Sequence, residues 1–252
     1  MKKKIFCLAL CLCALLSVCS CKTNQTAQDT TATAEETKAA EPTLDYDMPV
    51  VEVESVSYRN IYEDDGMAHT NSYSMPKLAS DAEGAVAVNK EISAWYEDTF
   101  GIHFSMMDDL SGENVRSGEK YVNVTYSSSV HLDVVAVIIK LEETVPGNET
   151  KTTYEIFYYD ALTDCEITSS DFCEYCSLAT EDIFTALNEA GIKKVTNHSV
   201  SSEGVYELVY CTANTDGDNL YDCYLKDKDE NFIVQTAYVE GATPDTDSLP
   251  TE

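Results

Sequence analysis

Apolar and polar residues alternate through "PVVEVESVSY", with Val51 and Val53 on one face, and this segment is expected to form a strand. A turn at "EDDG" separates it from a second strand, "NSYSMPKL", whose proline lies near its end. The period then changes. Ala85, Val88, Ile92, Trp95 and Tyr96 recur at helical spacing, and Gly101 suits the end of that helix. Ser80 and Glu83 stand at the S-x-x-E spacing, in which each side chain satisfies a free N–H at a helix start. The only tryptophan of the chain lies on this stripe and is read as core.

Strand spacing returns in "KYVNVTYSS", where Val122, Val124 and Tyr126 alternate, and in the long β-branched run "VHLDVVAVIIKLEE". After a turn at "GNET", "TTYEIFYYD" alternates again, and the three are expected to lie antiparallel with one face on the Ser80 helix. "LTDCEITSSDF" leads into a second helical region edged by Ile183, Phe184 and Leu187 and stopped by Gly191. "GVYELVYC", "NLYDCYLKD" and "FIVQTAYVE" then make three strands separated by "TDGD" and "KDEN" turns. The order ββα-βββ-α-βββ predicts an α+β fold, antiparallel sheets with one helix packed on each.

The ends of the chain read differently. Lys2, Lys3 and Lys4 precede a short apolar run, Ile5 to Val18, in the layout of a secretory leader. The run is shorter than the roughly 20 apolar residues of a comfortable transmembrane helix. Val18-Cys19-Ser20-Cys21 has the form of a bacterial lipobox, which makes Cys21 the expected site of lipidation, by palmitate or similar chains, with Cys19 as its rival. Each buried acyl methylene adds about 0.8 kcal/mol of membrane affinity, so two or three chains moor a protein firmly. The resulting organisation is a lipoprotein signal peptide over 1–20 and a disordered Thr/Ala/Glu-rich tether over 21–47. An envelope α+β domain follows over 48–192. Residues 193–240 are a β-rich part of the same domain or a small second one, and 241–252 a disordered tail.

Charge narrows the partners. The formal net charge is −29, and cleavage before Cys21 would remove three lysines and no acid. Such a surface repels phosphate backbones, which argues against nucleic acid and toward a basic protein wherever charge steers binding. Beyond Cys21 stand Cys165, Cys173, Cys176, Cys211 and Cys223. Cys211 and Cys223 flank "TANTDGDNLYD" and are the expected disulfide, facing each other across a hairpin. Cys173-Glu-Tyr-Cys176 has redox-motif spacing, yet Asp171 and Glu174 disfavour a thiolate, and structural thiols or a bridge with Cys165 are the preferred reading.

Reaction centres are not evident. The chain has no G-x-S-x-G, no H-E-x-x-H and no phosphate-cradling glycine loop, so no catalytic residue, metal ligand or cofactor site is assigned. His69, His103, His131 and His198 are scattered; His131 shares a strand face with Asp133 by period two. "NTDGDNLYD" offers Asn214, Asp216, Asp218 and Asp222, but counted from Asn214 it lacks the sixth-position Gly and twelfth-position Glu of a calcium loop and reads as a polar hairpin turn. Asp64-Asp65 and Asp108-Asp109 read as solvated loop.

One set of residues resembles a known family. Pro76, Asn89, Ile92, Tyr159, Asp160, Thr163, Ile167, Thr168, Asp171 and Phe172 fall on a "Y-x-(I/Y)-P" strand, an "IN-x-x-I" helix and a "YD-x-x-TG-x-x-(I/L)-T-x-x-D-(L/F)" segment. This pattern is similar to the extracytoplasmic domain of RsiV-type anti-sigma factors, which also precedes the catalytic domain of PdaC-type peptidoglycan deacetylases. The match spans roughly 50–192, and Asp164 stands where the family has glycine. The resemblance implies a fold and an envelope role without importing catalysis; within that family the RsiV type recognises lysozyme, a basic protein. Together these features predict a non-enzymatic bacterial surface lipoprotein on the extracytoplasmic face of the cell membrane, acting as a binding or sensing module. The alternative is an acidic module for a cationic protein such as lysozyme, with a cell-wall glycan hydrolase ranked below both.

Overall fold

The computed structural model describes residues 44–61, 68–104, 119–145 and 147–240. These belong to one compact unit, Glu41–Glu252. Among them no helix is long and apolar enough to cross a membrane. The chain runs β1 (Val50–Ile61), β2 (Ala68–Leu78), α1 (Glu83–Phe104), β3 (Glu119–His131), β4 (Val134–Thr144) and β5 (Lys151–Asp160). It continues as β6 (Cys165–Ile167), α2 (Ser169–Tyr175), α3 (Thr180–Glu189), β7 (Val195–Thr196), β8 (Tyr206–Ala213), β9 (Leu220–Lys226) and β10 (Phe232–Tyr238). In the described residues these strands form a six-stranded sheet, in order from β1 to β6, and a four-stranded sheet ordered β10-β9-β8-β7. The fold is α+β, as the order of elements predicted.

Strand β4 explains the layering. Its first six residues, Val134 to Ile139, are apolar without a break, so both faces of that half must be covered. Val135, Val137 and Ile139 point to the α1 side, where Ala85, Val88 and Ile92 of the helix stripe are fully buried. Tyr73 stacks on Phe100 there with ring centroids 5.1 Å apart, and Trp95 lies edge-on to Tyr96 at 5.0 Å. Val134, Ala136 and Ile138 point the other way, into a second core shared with Phe172, Ile183, Leu187 and Leu225. The C-terminal strands therefore share their core with β4 and β5. Two tyrosines tie the sheets together: the Tyr158 hydroxyl donates to the Cys211 carbonyl at 2.9 Å, and the Tyr210 hydroxyl donates to Glu155 Oε1 at 3.0 Å.

Several local expectations are revised. The sheets are not wholly antiparallel: β2 and β3 pair in parallel, as do β7 and β8. The 22-residue α1 is long enough to carry the chain back across the sheet between β2 and β3, which is what a parallel connection requires. The second helical region is two helices, broken at Ser177, whose φ is +54°. The folded part begins before Met48, since Leu44 is buried in the α1-side core while Met48 is exposed. Gly191 does close α3. The Ile192 N–H donates to the Leu187 carbonyl and the Gly191 N–H to the Asn188 carbonyl, with Gly191 at φ +100°.

The start of α1 is capped from elsewhere. The expected reciprocal Ser80–Glu83 box is replaced by a local turn, in which Ser80 Oγ accepts from the Ala82 N–H at 3.2 Å. The helix-start N–H of Gly84 donates instead to Asp164 Oδ1 at 3.0 Å, a contact between positions far apart in sequence. Asp164 sits in the left-handed region at φ +51°, which is the reason a glycine suits that position in the related pattern. The rest of that pattern is also structural. Asn89 accepts from the Leu78 N–H and donates to the Leu78 carbonyl, clamping the end of β2. Asp160 accepts from the Leu162 and Thr163 N–H groups and the Thr163 hydroxyl, while Thr168 and Asp171 form the capping box of α2. Pro76, which has no N–H to give the ladder, lies opposite a bulge at Glu52/Glu54 of β1.

A Cβ added at Gly84 would lie 2.1 Å from the Asp164 carbonyl oxygen. Gly84→Ala is therefore expected to lower stability by about 1–3 kcal/mol, the range of overpacking with backbone shifts. Urea unfolding of the variant beside the wild type measures this as a lower midpoint.

Candidate functional site

Two features that the sequence leaves apart meet in space. The β3–β4 turn and the β8–β9 loop line a cleft of about 610 Å³, with His131 and Leu132 on one side and Asn214, Asp218 and Tyr221 on the other. Each turn carries a non-glycine residue in the left-handed region, Leu132 at φ +53° and Asn219 at φ +60°. For leucine, which has no side-chain oxygen to bond its own backbone, this conformation is costly.

The walls of the cleft contain unmatched polarity. His131 Nε2 and the Tyr221 hydroxyl are both buried and have no hydrogen-bond partner. Tyr221 is 1% exposed, and the two rings meet edge to face at 6.2 Å. Burial lowers the His131 pKa from its ordinary value of 6.5, against a smaller opposing pull from the Asp218 carboxylate. Burial raises the Tyr221 hydroxyl to about 12. Both groups are thus neutral at physiological pH, able to donate or accept, and suited to a hydroxyl- or amine-bearing ligand.

Other candidates of the sequence have structural occupations. Asp133 does not orient His131; its Oδ1 accepts from the Tyr46 hydroxyl at 2.9 Å. Within "NTDGDNLYD", Asn214 Nδ2 donates to Asp222 Oδ1 at 2.9 Å, and Thr236 Oγ1 donates to the same oxygen at 2.7 Å. Their oxygens serve the hairpin, and among the described residues no cluster of His, Cys, Asp or Glu is arranged to hold a metal. Cys21 and the Asp64-Asp65 and Asp108-Asp109 pairs lie outside the described residues.

Cys211 and Cys223 are direct partners across β8 and β9, both fully buried and both free thiols. Cys176 of the α2 region joins them in the same core, and the partly buried Cys173 packs against it. Cys165 is exposed on β6, its Sγ 3.0 Å from Thr163 Oγ1. The hairpin argument found the facing pair. The cleft was not legible, because neither turn announces that it meets the other.

No family model matches the chain, and no curated protein matches it. Among solved structures, a DUF3298 family member from Bacteroides fragilis matches with a TM-score of 0.40 at 9% identity, over 79% of this chain and 91% of that one. A DUF3298 family protein from Pseudomonas aeruginosa PAO1 matches with the same TM-score at 10% identity, over the same shares. At that level of likeness the functional reading rests on this chain's own residues.

The depressed His131 pKa has a thermodynamic consequence. As pH falls through about 6.5 the unfolded chain takes up a proton that the folded chain refuses, so stability present above that pH is lost below it. Urea midpoints measured at about pH 7 and about pH 5 are expected to fall further in the wild type than in His131→Phe, the carboxylate contribution being common to both.

Proposed function

We propose that this chain is a non-enzymatic binding or sensing module of the bacterial cell envelope, held at the extracytoplasmic face by lipid on Cys21. Its ligand enters the cleft between the β3–β4 and β8–β9 turns. One observation carries the reading: His131 and Tyr221 line that cleft, and their Nε2 and hydroxyl are buried behind its walls without hydrogen-bond partners. A buried polar atom left unpaired costs about 1–3 kcal/mol, and a ligand that pairs it recovers that cost. The placement of the resemblance residues supports the non-enzymatic part, because those described above serve caps, turns and clamps.

A cationic protein partner is the second reading, favoured by the state of the lysines. Lys120 pairs with Glu143, Lys140 with Glu142, Lys226 with Glu207, and Lys228 with Glu203 and Asp229. These cations are engaged locally, which leaves the acid excess of the chain facing solvent. Such a partner's affinity would fall with salt, since exposed charges are screened over about 8 Å at physiological ionic strength.

Two measurements test the proposal. Labelled palmitate is expected in the wild-type protein and absent from Cys21→Ser expressed in a lipoprotein-processing bacterium. The small-molecule fraction of an envelope extract is expected to shift the His131 ring resonances, with retention about tenfold weaker in Tyr221→Phe, the cost of one lost hydrogen bond. Retention unchanged in Tyr221→Phe and His131→Gln, or turnover of peptidoglycan fragments by the purified protein, overturns the reading.

A further inference from the structure

The second core holds four thiols, and their arrangement is ordered rather than incidental. Cys211 is central. Across the ladder it faces Cys223, and its thiol is close enough to that of Cys173 for the two to perturb each other. The backbone of Cys211 is turned away from β9: its N–H donates to Ser169 Oγ at 3.1 Å, and its carbonyl accepts from the Tyr158 hydroxyl at 2.9 Å. Cys211 and Cys223 therefore form the non-hydrogen-bonded kind of antiparallel pair, whose Cα atoms stand about 4.5 Å apart. That spacing lies within the span a disulfide bridges, about 4.4–6.8 Å.

The three sulfurs differ in access. Cys211 and Cys223 are fully buried, whereas Cys173 is only partly so, at the surface of α2. Of these three, Cys173 is the one a reagent from solvent meets first. The neighbouring Cys211 thiol lowers the Cys173 pKa despite burial, while burial raises Cys176 to about 12 and leaves that thiol inert.

We propose that Cys173, Cys211 and Cys223 form a thiol–disulfide relay, with Cys173 as the thiol that meets solvent and the Cys211–Cys223 bridge as its resting oxidised state. The oxidant is a low-molecular-weight disulfide, RSSR. The Cys173 thiolate attacks one sulfur, forming a mixed disulfide and releasing RS⁻, which takes the proton Cys173 gave up. Cys211 then attacks the Cys173 sulfur, displacing the second RSH and forming Cys173–Cys211. Cys223 attacks Cys211 in turn, forming Cys211–Cys223 and returning Cys173 as a thiol. The sum is one RSSR and two protein thiols converted to one protein disulfide and two RSH. The product cross-links the hairpin whose loop lines the cleft, yet the relay stands or falls independently of any ligand there.

The reduced full chain, in detergent, is mixed with glutathione disulfide, quenched with acid, alkylated and mapped by peptide mass spectrometry. The expected result is a transient glutathione adduct on Cys173 followed by a Cys211–Cys223 cross-link. Cys173→Ser slows the cross-link about tenfold or more without changing its identity, and Cys223→Ser stalls the chain at Cys173–Cys211. Far-UV spectra confirm the fold of each variant; where one fails to fold, the position of the first adduct in the wild type decides. Cys165, exposed on β6, takes its own adduct and is scored separately; within the buried cluster a first adduct on Cys176, Cys211 or Cys223, an unslowed Cys173→Ser, a bridge to Cys176 or Cys165, or no cross-link in the folded wild type overturns the proposal.

Discussion

The whole arrangement depends on β4 having two apolar faces. A strand of this kind cannot lie on a surface, because either face left in water forfeits about 1.5–3 kcal/mol for each large aliphatic side chain. One face is met by α1, and the other by the second sheet with α2 and α3. The molecule is thus layered around a strand rather than around a single interior. The C-terminal strands are the cover of one half of β4, and this is why they share a core with residues far earlier in the chain.

Much of this was legible. The alternation of Val122 and Val124 and the stripe from Ala85 to Tyr96 each report one buried face, and a buried face is a local property of sequence. The Schellman closure at Gly191 and the facing of Cys211 and Cys223 likewise follow from short spacings. What escaped was non-local. The parallel pairing of β2 with β3 depends on where a 22-residue helix delivers the chain. The cap on α1 comes from Asp164, eighty positions beyond Gly84. The meeting of His131 with Tyr221 is set by the stacking of two sheets, to which neither turn contributes a signal.

The residues of the family-like pattern now have physical meanings. Asp160 folds the turn after β5, Asn89 clips the end of β2, and Thr168 and Asp171 start α2. Asp164 is the informative departure. Where glycine would merely tolerate a left-handed backbone, the aspartate adopts it and adds a carboxylate that reaches both Gly84 N–H and the Tyr159 hydroxyl. Gly84 and Asp164 are consequently matched, since the bare backbone of one makes room for the other.

Tyr46 holds the β3–β4 turn through its hydroxyl on Asp133, two residues after Leu44 takes its place among the α1-side core residues. Tension drawn along the polypeptide from its amino-terminal side would be borne first at these two points. The clasp on Asp133 lies in the same short turn as Leu132, so a mechanical load would be felt at the rim of the cleft before any strand is peeled from its sheet.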